Sequence, residues 1–129
     1  MEDADLIEQF ESCTLPNECF HHADHIKMAW LYLHRYGPID ALARFSQGLR
    51  RFAAAHGKAN RYHETITWSY LFLIRERIER YGADQTWQQF ADSNPDLFNW
   101  RESVLRLYYK DDTLNSDLAR HTFLFPDNL

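Results

Sequence analysis

Apolar residues recur every three or four positions through most of the chain, which is the spacing of an amphipathic α-helix. In the stretch that follows the first histidines, Ile26, Ala29 and Leu33 fall on one face at this spacing. Convincing alternation of apolar and polar residues, as in a half-buried strand, is missing from the sequence. The pattern therefore predicts helices over residues 3–12, 22–35, 39–56, 62–81, 84–92 and 99–109, with a last short helix after Ser116.

Glycine and proline mark the ends of these predicted helices. Pro16 ends the first one, because proline cannot continue a helix. Gly37 followed by Pro38 predicts a stop and an immediate restart. Gly57 and Gly82 stand where C-terminal caps of the third and fourth helices are expected. The connections that remain are short, as in helical bundles.

Polar capping residues complete the pattern. Asn99, with Glu102 three positions later, has the form of a capping box that opens the helix over 99–109. A chain of 129 residues fits one domain. The sequence therefore predicts an all-α protein, a compact single-domain bundle of about five to seven helices over residues 1–129.

Composition agrees with a folded chain that needs no disulfide framework. Apolar residues make up 45% and aromatic residues 16%, too much for a disordered protein. Charges interrupt the longest apolar stretches, so we expect no membrane span. The acidic start "MEDADLIEQF" differs from the basic start of a signal peptide. With Cys13 and Cys19 as the only cysteines, we expect free thiols and a cytoplasmic location.

The distribution of charge gives a weaker hint about ligands. The formal net charge is −5, which argues against nucleic-acid binding through the phosphate backbone. Residues 41–63 nevertheless contain no acidic residue. This stretch is either a solvated helix face or a wall that attracts anions beside a site. Its basic residues are Arg44, Arg50, Arg51, Lys58 and Arg61.

The histidines are the most distinctive feature of the sequence. Three of the seven stand in the phrase "FHHADH". At ~100° per residue, His22 and His25 share the apolar face near the beginning of the second helix. His21 lies at the margin of that face, and His34 is expected to be exposed. His63, in "YHETIT", is aligned with the apolar face near the beginning of the fourth helix. The spacing predicts a histidine-lined pocket near the beginnings of these two helices.

Buried imidazoles need partners, because an unpaired polar group in a core costs about 1–3 kcal/mol. A divalent transition metal such as Zn, Ni or Fe satisfies several imidazoles at once. His22 and His25 have the i, i+3 spacing at which two ligands on one helix share an ion. His63 would complete three ligands and leave a fourth position open, as in catalytic zinc sites. The sequence therefore predicts a metal-binding protein with these three histidines as ligands.

A small metal-dependent, hydrolase-like enzyme is the catalytic form of this hypothesis. Glu64 would act as a fourth ligand or as a base on metal-bound water, whose pKa the ion lowers. Arg61, with Tyr62 and Thr67, would bind a small-molecule substrate, most simply an anionic one.

Other interpretations stay open at the level of sequence. The histidines also fit a neutral cluster that hydrogen-bonds to Tyr62, Thr67, Tyr70 and backbone carbonyls. A structural zinc site formed by both cysteines with the histidine pair of the second helix is a further interpretation. The matching functions are a non-catalytic interaction module that forms a homodimer, and a metal-free protein that binds a small anion. None of these hypotheses includes a nucleic acid or a membrane as a partner.

Two phrases of the chain carry a resemblance to a known family. "FHHADHIKMAWLYLHRYG" and "YHETITWSYLFLIRER" resemble a family of small bacterial helical proteins with F-x-H-x-x-H, A-W-x-Y-L and Y-H-E-T-I-T motifs. The resemblance covers most of the chain and extends to "FPD" at 125–127. It implies that His22, His25, His63 and Glu64 belong to the motifs of the family, and it implies no particular activity.

Overall fold

The backbone is helical throughout the part of the chain that the structure, a computed structural model, describes. This part is residues 2–128, which form seven α-helices and no β-strand. The prediction of an all-α fold is therefore confirmed. The helices are α1 (Asp3–Glu11), α2 (His22–Arg35), α3 (Pro38–Ala55), α4 (Glu64–Arg77), α5 (Trp87–Ser93), α6 (Asp111–Leu114) and α7 (Asp117–His121). Short 3-10 turns lie at Asn17–Cys19, Ala59–Arg61, Pro95–Phe98 and Val104–Leu107.

The chain divides into two compact units, an N-terminal unit (Met1–Tyr62) and a C-terminal unit (His63–Leu129). The association of the whole chain into a single domain over residues 1–129 stays a prediction. No helix within residues 2–128 has the length and apolarity that crossing a membrane requires.

In the N-terminal unit, α3 packs against both α1 and α2. The ring of Phe10 on α1 is fully buried, with its centroid 5.7 Å from that of Phe52 and 6.4 Å from that of Phe45 on α3. This close approach requires glycine at position 48, because a Cβ atom there would lie 2.7 Å from the Phe10 ring. Phe10, Phe45 and Phe52 thus form an aromatic core between α1 and α3.

In the C-terminal unit, α4 packs against α7 and against the turn Val104–Leu107. Leu71 and Ile74 of α4 are fully buried. An extended tail over residues 122–128 is held by hydrogen bonds to Thr65, whose hydroxyl donates to the Thr122 carbonyl at 2.8 Å and accepts from the Leu124 amide at 3.2 Å. The tail is therefore an integral part of this unit.

The fourth helix differs in its limits from the sequence prediction of 62–81. It begins at Glu64, because His63 serves as the N-cap, and its regular α-helical part ends at Arg77. A π-helical turn, Ile78–Gly82, completes it. The apolar period continues through this turn, so the change in hydrogen bonding leaves no mark on the sequence pattern.

The predicted helix over 99–109 is wrong. The Asn99 side chain does accept a hydrogen bond from the Glu102 amide at 3.1 Å, but the bond closes an isolated turn. The Ser103 hydroxyl then caps the Leu105 amide at 3.2 Å and opens a single 3-10 turn. Two local caps so close together favour two short turns over one helix.

Candidate functional site

The beginning of α2 is fixed by the residues that surround the histidine cluster. His21 is the N-cap of α2, and its backbone amide donates to the Asp24 carboxylate at 2.9 Å. Asp24 thus caps the helix and lies in its first turn, where a negative charge suits the helix dipole. His22 and His25 follow on this turn as its first and fourth residues.

His25 is held by an aromatic ring. Its imidazole stacks on Phe20, with centroids 4.2 Å apart and planes at 25°. Phe20 immediately precedes the N-cap and His25 is the fourth helical residue, so the two occupy the positions of a hydrophobic staple. Burial, the largest cause, together with the nearby imidazoles of His22 and His21, lowers the pKa of His25 to about 4. The ring is neutral at physiological pH.

The other histidines of the N-terminal unit differ in exposure and in their neighbours. His22 is half-buried, whereas His34 is exposed, as expected from its position off the apolar face. The His34 ring lies against Trp30, with centroids 4.1 Å apart. His56 follows α3 as its C-cap residue, and its Nε2 atom is buried with no hydrogen-bond partner among residues 2–128.

His63 is buried, as predicted, but it is engaged on both sides of the ring. Its Nδ1 accepts a hydrogen bond from the Ile66 amide at 3.1 Å, and this bond caps α4. Its Nε2 lies 2.7 Å from the Leu114 carbonyl, so Nε2 carries the proton and donates it. A metal at His63 would have to displace one of these bonds. The role of His63 as a ligand stays a prediction.

The pKa of His63 is also lowered. Burial is the largest cause, and the positive charge of Arg120 acts in the same direction against the raising effect of the bond to Leu114. Protonation of Nδ1 would remove the lone pair that caps the Ile66 amide. The neutral ring with the proton on Nε2 is therefore the form that stabilises α4.

The predicted catalytic and substrate-binding residues are divided between the two units. Glu64 is buried and is the first residue of this helix, where its charge suits the helix dipole. Thr67 is half-buried. In the N-terminal unit, Arg61 is exposed and Tyr62 is half-buried beneath the guanidinium of Arg50, 4.9 Å from the ring centroid. Their roles in catalysis and substrate binding stay predictions.

The basic stretch is partly neutralised. Arg44 pairs with Asp40 at 3.0 Å and lies over the ring of Tyr36 at 4.4 Å. Arg51 is exposed and Lys58 is half-buried. The arginines thus also serve as partners of aromatic rings in this unit.

The described residues bring together no complete set of metal ligands. Within residues 2–128 there is no group of three or more His, Cys, Asp or Glu side chains placed to hold a metal ion. Cys13 and Cys19 are free thiols, and Cys19 is exposed. The N-terminal unit therefore offers two neighbouring imidazoles, and the remaining ligands of the predicted site stay predictions.

The sequence pattern did not identify two residues that hold parts of these units in place. Phe20 fixes the ring of His25, and the staple spacing could have identified it. Thr65 is fully buried and holds the tail, but its partner Thr122 lies 57 residues away, so no local pattern signals it. Asp127 also holds the tail, since it accepts from the Lys110 amide at 3.0 Å and from the Thr113 hydroxyl at 2.5 Å.

Comparison with other proteins adds no family to this description. No protein-family model matches the sequence, and neither curated proteins nor solved structures give a significant match. The resemblance carried by the two histidine phrases therefore stays an expectation.

Proposed function

We propose that the protein binds a divalent transition metal ion through the imidazoles of His22 and His25 on the first turn of α2. The observation that supports this most is the placement of the two rings. They are three residues apart on one helical turn, and the ring of His25 is clamped against Phe20. Ligands at this spacing can share one ion.

The protonation state of His25 favours the same function. Only a neutral imidazole has the lone pair that binds a metal, so protons compete with metal at ordinary histidines. The low pKa of His25 removes that competition at neutral pH. The His21 amide donates the capping hydrogen bond of α2 to the Asp24 carboxylate, so metal binding by the pair would leave this cap intact.

The complete ligand set of the proposed site follows the sequence hypothesis. His63 would be the third ligand and Glu64 a fourth ligand or a base, with Zn, Ni or Fe as the ion. A bound ion of this kind would supply a metal-activated water for hydrolysis. Arg61, Tyr62 and Thr67 would then bind the substrate, and the positive charge of Arg61 favours an anionic one.

The test is elemental analysis of untagged protein after a chelator wash and reloading with zinc, nickel or iron. We expect roughly one ion per chain for the native protein. His22→Ala and His25→Ala should each lose it. The matched control is His34→Ala, which removes an exposed imidazole from the same helix and should keep the ion. Equal metal content in all four proteins would refute the proposal.

His63→Ala separates the two parts of the hypothesis. Loss of metal in this variant would support a three-histidine site, provided that circular dichroism shows the helices intact. Retention of metal would remove His63 from the ligand set and leave the pair on α2. The enzymatic form of the hypothesis would then lose its third ligand.

An interaction module that forms a homodimer is the second candidate, and one observation favours it. The C-terminal unit exposes connected aromatic rings, with Phe125 at 84% and Phe72 at 43% exposure. Both contact Phe123, at centroid distances of 5.8 and 5.6 Å. Sedimentation over a range of concentrations should show a dimer that Phe125→Ser weakens. A monomer at every concentration would exclude this candidate.

A further inference from the structure

The extended tail of the C-terminal unit, residues 122–128, has one bound backbone edge. Thr122 is extended, with φ −144° and ψ 157°. The Thr65 hydroxyl bonds to both the Thr122 carbonyl and the Leu124 amide, and the Tyr109 hydroxyl donates to the Leu124 carbonyl at 2.7 Å. The backbone groups of these alternate residues thus face the unit, as they would along one edge of a β-strand.

The other backbone edge of the tail is free. In an extended segment the amide and carbonyl of one residue point to the same side, and those of the next residue point to the opposite side. Phe123 and Phe125 therefore direct their amides and carbonyls away from Thr65 and Tyr109. Their backbone groups form no hydrogen bond with another residue of the described range 2–128. Four groups of this edge are thus available to a second strand.

The side chains of the same two residues belong to an aromatic face. Phe123 stacks on Trp68, with centroids 5.5 Å apart, and contacts the ring of Phe125 at 5.8 Å. Contact between rings two positions apart places both on one face of the extended segment. Phe125 is 84% exposed, and Phe72, which contacts Phe123, is 43% exposed. A strand on the free edge would place its own side chains beside these rings.

The free edge is complementary to itself. When two copies pair antiparallel about Leu124, Phe123 of each copy lies opposite Phe125 of the other. Residues opposite each other in this way exchange both of their backbone hydrogen bonds. The arrangement uses every free group of both edges and sets the phenyl rings of the two copies side by side. A shift by one residue would place Phe123 opposite Leu124, whose backbone groups are already bound to Thr65 and Tyr109.

Charge favours the antiparallel order. Arg120 and His121 precede the extended segment, and Asp127 lies near its other end. An antiparallel pair about Leu124 brings the basic end of each copy towards the acidic end of the other, whereas a parallel pair would bring like ends together. The antiparallel order also has the two-fold symmetry of most homodimers.

We propose that the tail pairs with the same segment of a second copy of this chain, as an antiparallel ladder centred on Leu124. The pairing rests on the second candidate function, the homodimer, and specifies its contact. It is independent of the metal site proposed for α2.

The apolar area of the face sets the strength of this dimer. Phe125 and Phe72, at 84% and 43% exposure, would bury roughly 200–300 Å² per copy, since an aromatic side chain buries roughly 150–250 Å². Stable interfaces bury at least about 600 Å² per partner. The backbone bonds must therefore supply much of the affinity, and we expect a transient dimer.

The test combines sedimentation with amide hydrogen exchange of the native full chain, from micromolar to millimolar protein. Exchange at Phe123 and Phe125 should slow by about fivefold when four fifths of the chains are paired, because only the unpaired fraction exchanges. The Leu124 amide, already bonded to Thr65, should change little. A monomer at every concentration would overturn both the pairing and the homodimer. A dimer in which the Phe123 and Phe125 amides exchange as in the monomer would overturn the pairing alone.

Two substitutions at one position separate the backbone from the ring. Phe125→Ala loses the ring and keeps the amide, whereas Phe125→Pro loses both and still suits an extended segment. Proline removes two hydrogen bonds per dimer, so this variant should dimerise about five- to a hundredfold more weakly than the alanine variant. Tyr81→Ala removes an exposed ring outside the aromatic face and should leave dimerisation unchanged. Equal dimerisation of the alanine and proline variants, with the same helical circular dichroism, would overturn the pairing.

Discussion

His25 and His63 stand at the beginnings of two helices, and both have a lowered pKa, yet they are held in different ways. His25 is held by the stacked ring of Phe20, and no hydrogen bond from residues 2–128 contributes to its shift. His63 is held by hydrogen bonds at both ring nitrogens. A histidine near a helix start can thus keep a ring lone pair available, as His25 does, or use it to cap the helix, as His63 does. The neighbouring residues decide between these two roles.

The largest effect should come from removal of the cap. His63→Ala deprives the Ile66 amide and the Leu114 carbonyl of their partners, which should lower the free energy of unfolding by about 2–4 kcal/mol. His63→Asn should recover roughly 1 kcal/mol, because asparagine is a good N-cap. Urea denaturation of metal-free protein measures both. His121→Ala, at an exposed histidine, is the control and should change little.

An alanine at position 63 that costs no more than the His121→Ala control would contradict the role of His63 as a cap. The two histidines would then be alike, because His63, like His25, would have a ring lone pair available.

The next effect is a loss of stability in acid. His25 has a pKa of about 4 in the folded protein against its ordinary value of 6.5, so the unfolded chain binds more protons between these values. The free energy of unfolding should therefore fall as pH decreases from 6.5 to 4, by up to roughly 3 kcal/mol. Urea denaturation of metal-free protein as a function of pH measures it, with His25→Leu as the comparison.

In His25→Leu most of this pH dependence should disappear. His63, whose folded pKa is also lowered, contributes in the same direction and should account for part of what remains. An unchanged pH profile in the leucine variant would show that His25 is not the buried neutral ring described here.

Metal should stabilise the protein through the available ring. A zinc concentration of a hundred times the dissociation constant should raise the free energy of unfolding by about 2.7 kcal/mol. His22→Ala and His25→Ala should abolish this increment, whereas His34→Ala should preserve it. Thermal denaturation with and without zinc provides the measurement, and stabilisation of equal size in every variant would point to binding elsewhere.

The smallest effect tests the clamp itself. Phe20→Leu keeps an apolar residue at the staple position but removes the stacked ring, which should cost about 1 kcal/mol. The larger consequence is expected in titration by NMR, where the pKa of His25 should rise towards its ordinary value as the ring becomes accessible to water. A pKa that stays near 4 would assign the shift to the rest of the core.

Much of the local structure could be predicted from the sequence. The helix over 22–35 has the limits that the sequence predicts, because Asp24 and the Gly37-Pro38 pair mark its two ends. The inward direction of His63 also followed from periodicity alone. Such signals are local, since a cap, a break and an apolar face are all contained within a few residues of sequence.

The other features of the structure could not be predicted, because they depend on partners that are distant in sequence or on caps that compete with each other. The Leu114 carbonyl that binds His63 lies 51 residues away, so the second bond of the cap leaves no local sign. The region after Asn99 contains two caps in competition, and the pattern alone favoured one helix. The sequence analysis predicted no division after Tyr62, although the stretch without acidic residues ends beside it, at His63.

The bond from His63 to Leu114 has a consequence for observing the C-terminal unit in solution. A ring proton that is donated to a carbonyl in a buried position exchanges with solvent only when the two groups separate. The Nε2 proton of His63 should therefore give an imidazole resonance that is visible at neutral pH and slow to exchange. Its exchange rate would report how often α4 and α6 separate. One ring proton would therefore monitor the opening of the C-terminal unit.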